Sequence, residues 1–271
     1  MLNTGSRLRV ALLCSRRAPG LDGLLADPNR GRLYDLVACV CSEDVFPPES
    51  RPVEQTGVPV LSHPLRRFHR CMHAPLSDKG TRAFYDDTTV AVLAELRPDL
   101  VVLAGYLYVL TAPMLAAFPD RIINVHHADL TQLDGHGRPR YPGLRAVRDA
   151  VFSGEPETRA TAHFVTEELD GGPLLLRSHA FPVAGLARDA AAWGAEDMLK
   201  AYAFTHQEWM LRSAWGPMLA RSIELVARGR VEVVGGTAWI DGVPGPLELT
   251  AHGELVRWPA YGSRQRAEAS N

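Results

Sequence analysis

The stretch RIINVHHADL, Arg121 to Leu130, brings an asparagine and two histidines to the end of an apolar run. Imidazole is the side chain best suited to proton transfer near neutral pH. A carboxamide offers N–H donors to an oxygen that gains negative charge. Side chains alternate along a strand, so Asn124 and His126 share one face while Ile123, Val125 and His127 take the other. This pairs a hydrogen-bond donor with a proton carrier. A carboxylate completes such a set, and TEELDGGP (166–173) supplies Asp170 ahead of Gly171 and Gly172. Glycines there allow a tight turn and close backbone approach to a ligand. Taken alone, Asp-Gly-Gly is equally an ordinary turn signal. His126, His127, Asp129, Asp134 and His136 form a patch of metal-ligand types. Their spacing matches no standard zinc pattern, and adjacent strand histidines point apart, so no metal is expected.

These side chains need a scaffold that brings them together. LRVALLCS (8–15), LYDLVACVCS (33–42), GVPVLS (57–62), DLVVLAG (99–105) and RIINV (121–125) are apolar runs of strand length. DKGTRAFYDDTTVAVLAEL (78–96) has helical spacing. Asp78 is its N-cap, Phe84, Thr88, Ala91, Val92 and Leu96 form one face, and Pro98 stops it. TAPMLAAF (111–118) opens a helix with Thr111 and an early proline. Buried strands alternating with helices imply an α/β fold: a Rossmann-like, doubly wound, mostly parallel sheet with helices on both faces. Ligands in such sheets bind beyond the carboxyl ends of the strands, where Asn124 and His126 fall. TRATAHFV (158–165) and GPLLLRSHAFPV (172–183) add a strand pair expected near the sheet edge. Residues 187–229 are helical in composition, with a break expected at Gly216-Pro217. VEVVGGTAWIDG (231–242) reads as a hairpin turning at Gly235-Gly236, and the polar tail beyond Tyr261 as frayed. The organisation expected is a catalytic domain over 1–229, with a C-terminal hairpin and tail over 230–271 in the same structural unit.

The chain has 271 residues, room for one large domain with its own core. Its net charge of -2 gives no pull toward nucleic acid or an anionic membrane. No apolar run approaches the ~20 residues of a membrane span. The basic stretch HPLRRFHRCMH (63–73) therefore reads as a solvated loop. Cys14, Cys39, Cys41 and Cys71 show no metal-binding spacing, and three lie in apolar runs. Reduced cysteines of a cytoplasmic protein behave this way. Trp193, Trp209 and Trp215 lie in the helical region and read as packing residues or as cover for the acceptor pocket or a dimer face.

VVLAGYLYVLT, INVHHADL and TAHFVTEELDGGPLLLRSHAFPV together resemble the folate-dependent formyltransferases, most closely those acting on glycinamide ribonucleotide. The likeness covers most of the chain. Its most specific part is the order Asn-x-His, then Asp-x-Gly-Pro far downstream. The resemblance implies that Asn124, His126 and Asp170 are catalytic. It implies that Ala104, Gly105, Tyr106, Leu107, Tyr108, Val109 and Leu110 line the pterin pocket of 10-formyltetrahydrofolate, the formyl donor. It also opens His163 as a site residue. The implied reaction moves a formyl group to an amine of a small metabolite, without a metal. Folate and that amine are the partners, and a homodimer is left open.

Two departures bear on the acceptor. The ribonucleotide enzymes carry a Ser-Gly-x-Gly-Ser-Asn phosphate loop where this chain has CSRRAPGLDG (14–23). Arg16 and Arg17 there offer charge instead of backbone amides. His127 stands where a proline follows the catalytic histidine, and an extended loop, 129–142, borders the site. Both features suit a specialised biosynthetic acceptor as well as the purine intermediate. The spellings NVHH and ATAHFV resemble the formyltetrahydrofolate deformylases, whose N-terminal regulatory domain has no counterpart before the first strand. Hydrolysis of the same donor, or folate binding without catalysis, are the alternatives.

Overall fold

The computed structural model describes residues 6–46 and 57–258. In chain order it runs β1 (Leu8–Cys14), α1 (Leu21–Ala26), β2 (Tyr34–Cys41), β3 (Val60–Ser62), α2 (Leu65–Cys71), α3 (Lys79–Leu96) and β4 (Leu100–Leu103). There follow α4 (Ala112–Ala117), β5 (Ile122–His126), α5 (Ala146–Phe152), β6 (Glu157–Thr158), β7 (Thr161–Phe164), β8 (Leu174–Ser178) and β9 (Phe181–Pro182). The chain then forms α6 (Gly185–Ala192), α7 (Glu196–Ala227), β10 (Val231–Val234), β11 (Thr237–Ile240), β12 (Val243–Pro244), β13 (Leu247–Leu249) and β14 (Leu255–Arg257).

Nine strands form one sheet in the order β14-β13-β8-β7-β5-β4-β1-β2-β3. The pairs from β3 across to β5 are parallel, β7 runs antiparallel between β5 and β8, and β14 is antiparallel to β13. The apolar runs are nearly continuous because both faces are covered. Val10, Leu12 and Cys14 of β1 enter one core cluster, while Ala11 and Leu13 enter the other. β4 divides the same way, Leu100 and Val102 against Val101 and Leu103. This is the doubly wound, mostly parallel architecture expected. Val234 pairs with Thr237 across Gly235-Gly236, the expected hairpin.

Several expectations differ in detail. The pair β7–β8 is not at the sheet edge, because β13 adds parallel to β8 and β14 lies beyond it. Each of those two strands has only three residues, too short to show a period. The buried face of α3 is Tyr85, Asp86, Thr89 and Leu93, whereas Phe84 and Ala91 are exposed. Asp86 selects that face: it pairs with Arg82 and accepts hydrogen bonds from the Thr111 amide (2.6 Å) and hydroxyl (2.7 Å), which fastens the start of α4. Asp78 caps α3 as expected, its Oδ1 accepting from the Thr81 amide at 2.7 Å. Residues 65–71 are helix rather than loop, with His69 buried on the Pro75 carbonyl at 2.9 Å. The tail beyond Tyr261 lies outside the described residues.

The expected break at Gly216-Pro217 is absent, and α7 runs unbroken for 32 residues. Proline removes one helical donor, but packing against the sheet outweighs that local cost. Gly216 is small because α1 lies on it: a Cβ on Gly23 would sit 2.8 Å from the Gly216 Cα. Gly23→Ala should therefore force the two backbones apart and destabilise the fold by about 1–3 kcal/mol, read from the urea midpoint. An unchanged midpoint would show that the contact yields freely.

Candidate active site

Register places the polar side chains. β7 pairs with β5 so that Asn124 lies opposite His163 and His126 opposite Thr161. The Asn124 Nδ2 donates to His163 Nε2 at 3.2 Å, and His163 Nδ1 donates to the Phe164 carbonyl at 3.0 Å. That second bond fixes which ring nitrogen carries the proton. After β7 the chain turns through Asp170, whose φ is 54°. A Cβ on Gly172 would stand 1.8 Å from the Phe164 carbonyl oxygen, so only glycine fits there. The close approach that Asp-Gly-Gly provides is thus to β7 itself, and it swings Asp170 back over the histidines.

Asp170 is 8% exposed. Its Oδ2 accepts the Gly143 amide at 2.7 Å. Its Oδ1 stands 3.5 Å from His126 Nδ1 and 3.7 Å from His163 Nε2. On the far side of the ring, His126 Nε2 donates to the Tyr141 carbonyl at 2.9 Å. A neutral His126 so held keeps its lone pair on Nδ1, facing Asp170. Tyr141 and Gly143 stand at the end of the 129–142 loop, so that loop braces both members of the pair. Tyr141 is itself anchored, its hydroxyl donating to Glu155 Oε1 at 2.8 Å.

Asn124, His126, His163 and Asp170 line one cavity of about 390 Å³. Gly105, Tyr106, Leu107, Tyr108, Val109 and Leu110 form another of its walls. Ala104 lies beneath that wall, fully buried, its amide on the Leu13 carbonyl at 2.8 Å. The segment is pinned by its backbone: Leu107 N–H donates to Ser15 Oγ at 3.1 Å and the Val109 carbonyl accepts from Arg82 at 2.8 Å. Leu107 and Val109 are exposed, offering apolar surface toward the opening.

His127 lies past the last strand residue, where alternation ends, and lines the same cavity from the α7 side. Its ring lies 4.2 Å from the Trp215 ring and 3.5 Å from Gln207 Nε2. Burial, with smaller contributions from His126 and Arg17, pushes its pKa down to about 3. Burial pushes His163 down to about 4 against the opposing pull of Asp170. Arg17 pairs with Glu208 of α7, and Arg16 reaches Glu43 at 4.0 Å. Neither arginine lines this cavity. The remaining metal-type residues diverge: Asp129 turns to Arg177, and Asp134 accepts the His136 and Arg138 amides. Antiparallel pairing of TAHFV with INVHH was the signal that could have identified His163. Tyr141 fell only within the loop expected to border the site, and nothing in the sequence marked Gly143 or Gln207.

Residues 8–189 match the formyl transferase family. Phosphoribosylglycinamide formyltransferase of Escherichia coli is 32% identical over 162 residues, which is 60% of this chain and 65% of that protein. Formyltetrahydrofolate deformylase of the same organism is 30% identical over 201 residues, 74% of this chain and 61% of that protein. The matched region thus spans less than two thirds of either relative. The crystal structure of glycinamide ribonucleotide transformylase 1 from Symbiobacterium toebii superposes with a TM-score of 0.64 at 26% identity, covering 87% of this chain and 95% of that one. A formyltetrahydrofolate deformylase from Pseudomonas syringae shares the fold, with a TM-score of 0.63 at 23% identity, covering 88% and 67%. The conjunction of fold, sequence match and site geometry makes this chain a member of the formyl transferase family.

Proposed function

We propose that the protein is an N-formyltransferase that moves the formyl group of 10-formyltetrahydrofolate to an amine of a small metabolite. The observation that carries this reading is the meeting of Asn124, His126 and Asp170 at one end of a cavity walled by Gly105 to Leu110. The cavity fits a flat, largely apolar ring system, with backbone groups on its border and a volume in the range of small-molecule sites. Bound there, the folate would supply the activated formyl group.

Formyl transfer to an amine builds charge on the formyl oxygen and leaves a proton to be taken from nitrogen. Asn124 keeps one amide N–H free after donating to His163, and that N–H suits the charged oxygen. His126 holds its Nε2 proton on Tyr141, so Nδ1 is the nitrogen that accepts and returns a proton. The Asp170 carboxylate stands 3.5 Å from that nitrogen and orients the ring toward the cavity. A specialised acceptor is preferred over a phosphorylated one. Pro19 has no N–H to give an anion, Ala18 and Pro19 are buried, and Arg17 is shared with Glu208.

A second reading, hydrolysis of the same donor, is favoured by the longer match to the deformylase. Water would need the same oxygen stabilisation and the same base. Tetrahydrofolate release should be followed with and without a panel of amines. Release that requires an amine supports transfer and identifies the acceptor. Release in water alone supports hydrolysis. Folate binding without release under any condition would leave a binding protein.

His126→Ala and Asp170→Asn should each lower turnover at least ~100-fold, the scale of acid–base groups. Near-normal turnover in either variant would remove that residue from the chemistry. Stability should also depend on pH. His127 and His163 stay neutral in the fold down to about 3 and about 4, while the unfolded chain binds protons near the usual 6.5. Their contribution is whole above that value and is lost as pH falls through the window down to their folded pKa values. Each should lower stability by about 1.4 kcal/mol per pH unit within that window. Urea midpoints that stay level from pH 7 to about 5 would contradict two neutral buried imidazoles.

A further inference from the structure

Asp129 follows the catalytic histidine by three residues and opens the loop that holds it. Its side chain is almost fully buried and lies in a charge network that reaches the C-terminal strands. Asp129 Oδ2 stands 3.4 Å from Arg177 Nη2 and 4.0 Å from Arg159 Nε. The same two arginines reach Glu248 of β13, Arg177 at 3.4 Å and Arg159 at 3.2 Å. The Arg177 guanidinium is covered by the Trp258 ring at 4.1 Å. Glu248 and Trp258 lie beyond the residues that match the family.

From Asp129 the contacts run on to the site. Its Oδ1 accepts the Thr131 amide at 3.1 Å, and its carbonyl accepts the Gln132 amide at 3.0 Å. The Gln132 carbonyl accepts the Arg140 amide at 3.0 Å, which precedes the carbonyl that holds His126. On the other side, Thr161 Oγ1 donates to the Ala128 carbonyl at 2.7 Å and accepts the Leu130 amide at 3.1 Å. A buried charge pair of this kind holds its geometry rigidly, because moving one member leaves the other uncompensated.

We propose that Asp129, clamped through Arg177 and Arg159 to Glu248, is a positioning residue: it sets the loop whose Tyr141 carbonyl fixes the His126 tautomer. The C-terminal strands then complete the site from behind, without touching substrate. The kinetic part of this proposal rests on the formyl-transfer reading, and the tautomer part does not.

The test uses Asp129→Asn and Glu248→Gln in the full chain. 15N-histidine NMR reports the His126 Nε2–H, assigned by its loss in His126→Gln. The wild type should show one slowly exchanging Nε2–H, and both variants a broadened or divided signal. Their KM for 10-formyltetrahydrofolate should stay within about twofold while kcat falls at least ~10-fold, as a sub-ångström misplacement produces. Folded variants with wild-type kcat and an unchanged His126 signal would overturn the proposal. Should Asp129→Asn fail to fold, Glu248→Gln decides alone. Should the wild type itself show no turnover, the formyl-transfer reading falls and the NMR signal decides the brace.

Discussion

Asp170 places a carboxylate where only 8% of the residue meets solvent, with one backbone amide and two imidazoles as its company. A buried carboxylate must be compensated, and full compensation would need a charged partner. Burial keeps His163 neutral. The remaining partner is His126, whose Nδ1 faces the carboxylate with its other nitrogen already committed. The turn at Gly172, the β5–β7 register and the 129–142 loop all serve to hold that arrangement.

Much of this was legible in the sequence. Strand alternation put Asn124 and His126 on one face, and continuous apolar runs gave a covered parallel sheet. What was less legible depended on contacts between distant segments. Asp86 turned α3 by pairing with Arg82 and fastening α4, which apolar periodicity does not register. Gly216-Pro217 looked like a break because local propensity was read without the α1 backbone that packs on it. β13 and β14 are too brief to carry a period; β13 owes its place to β8, and β14 to β13. His163 was undervalued because its partner lies across an antiparallel ladder.

The proposed catalytic set does not by itself choose between an amine and water. Asn124, His126 and Asp170 would serve either nucleophile with the same donors and the same base. Discrimination belongs to the walls, where this chain has features of its own. The His127 ring lies tilted against Trp215 beside Gln207 and stays uncharged, and Arg17 is paired with Glu208. On that side the cavity is lined by His127, Gln207 and Trp215, while Arg17 and Glu208 pair outside it. Those three side chains give that wall aromatic surface and hydrogen-bonding groups. A wall of that composition suits recognition by shape and hydrogen bonding.

The position of the charge network extends the same logic to the rear of the site. Two arginines and their carboxylates cluster beside β8 and β13, and none of them lines the cavity. Apolar residues there would stabilise the sheet at least as well, since desolvating charges offsets much of their attraction. What charges add is directional constraint. Asp129 is drawn to Arg177 at 3.4 Å with Arg159 at 4.0 Å, and the loop that ends at Tyr141 begins with it. A base whose working nitrogen is set by a single backbone carbonyl needs that carbonyl fixed to a fraction of an ångström. The network supplies that fixation from strands the catalytic residues never contact.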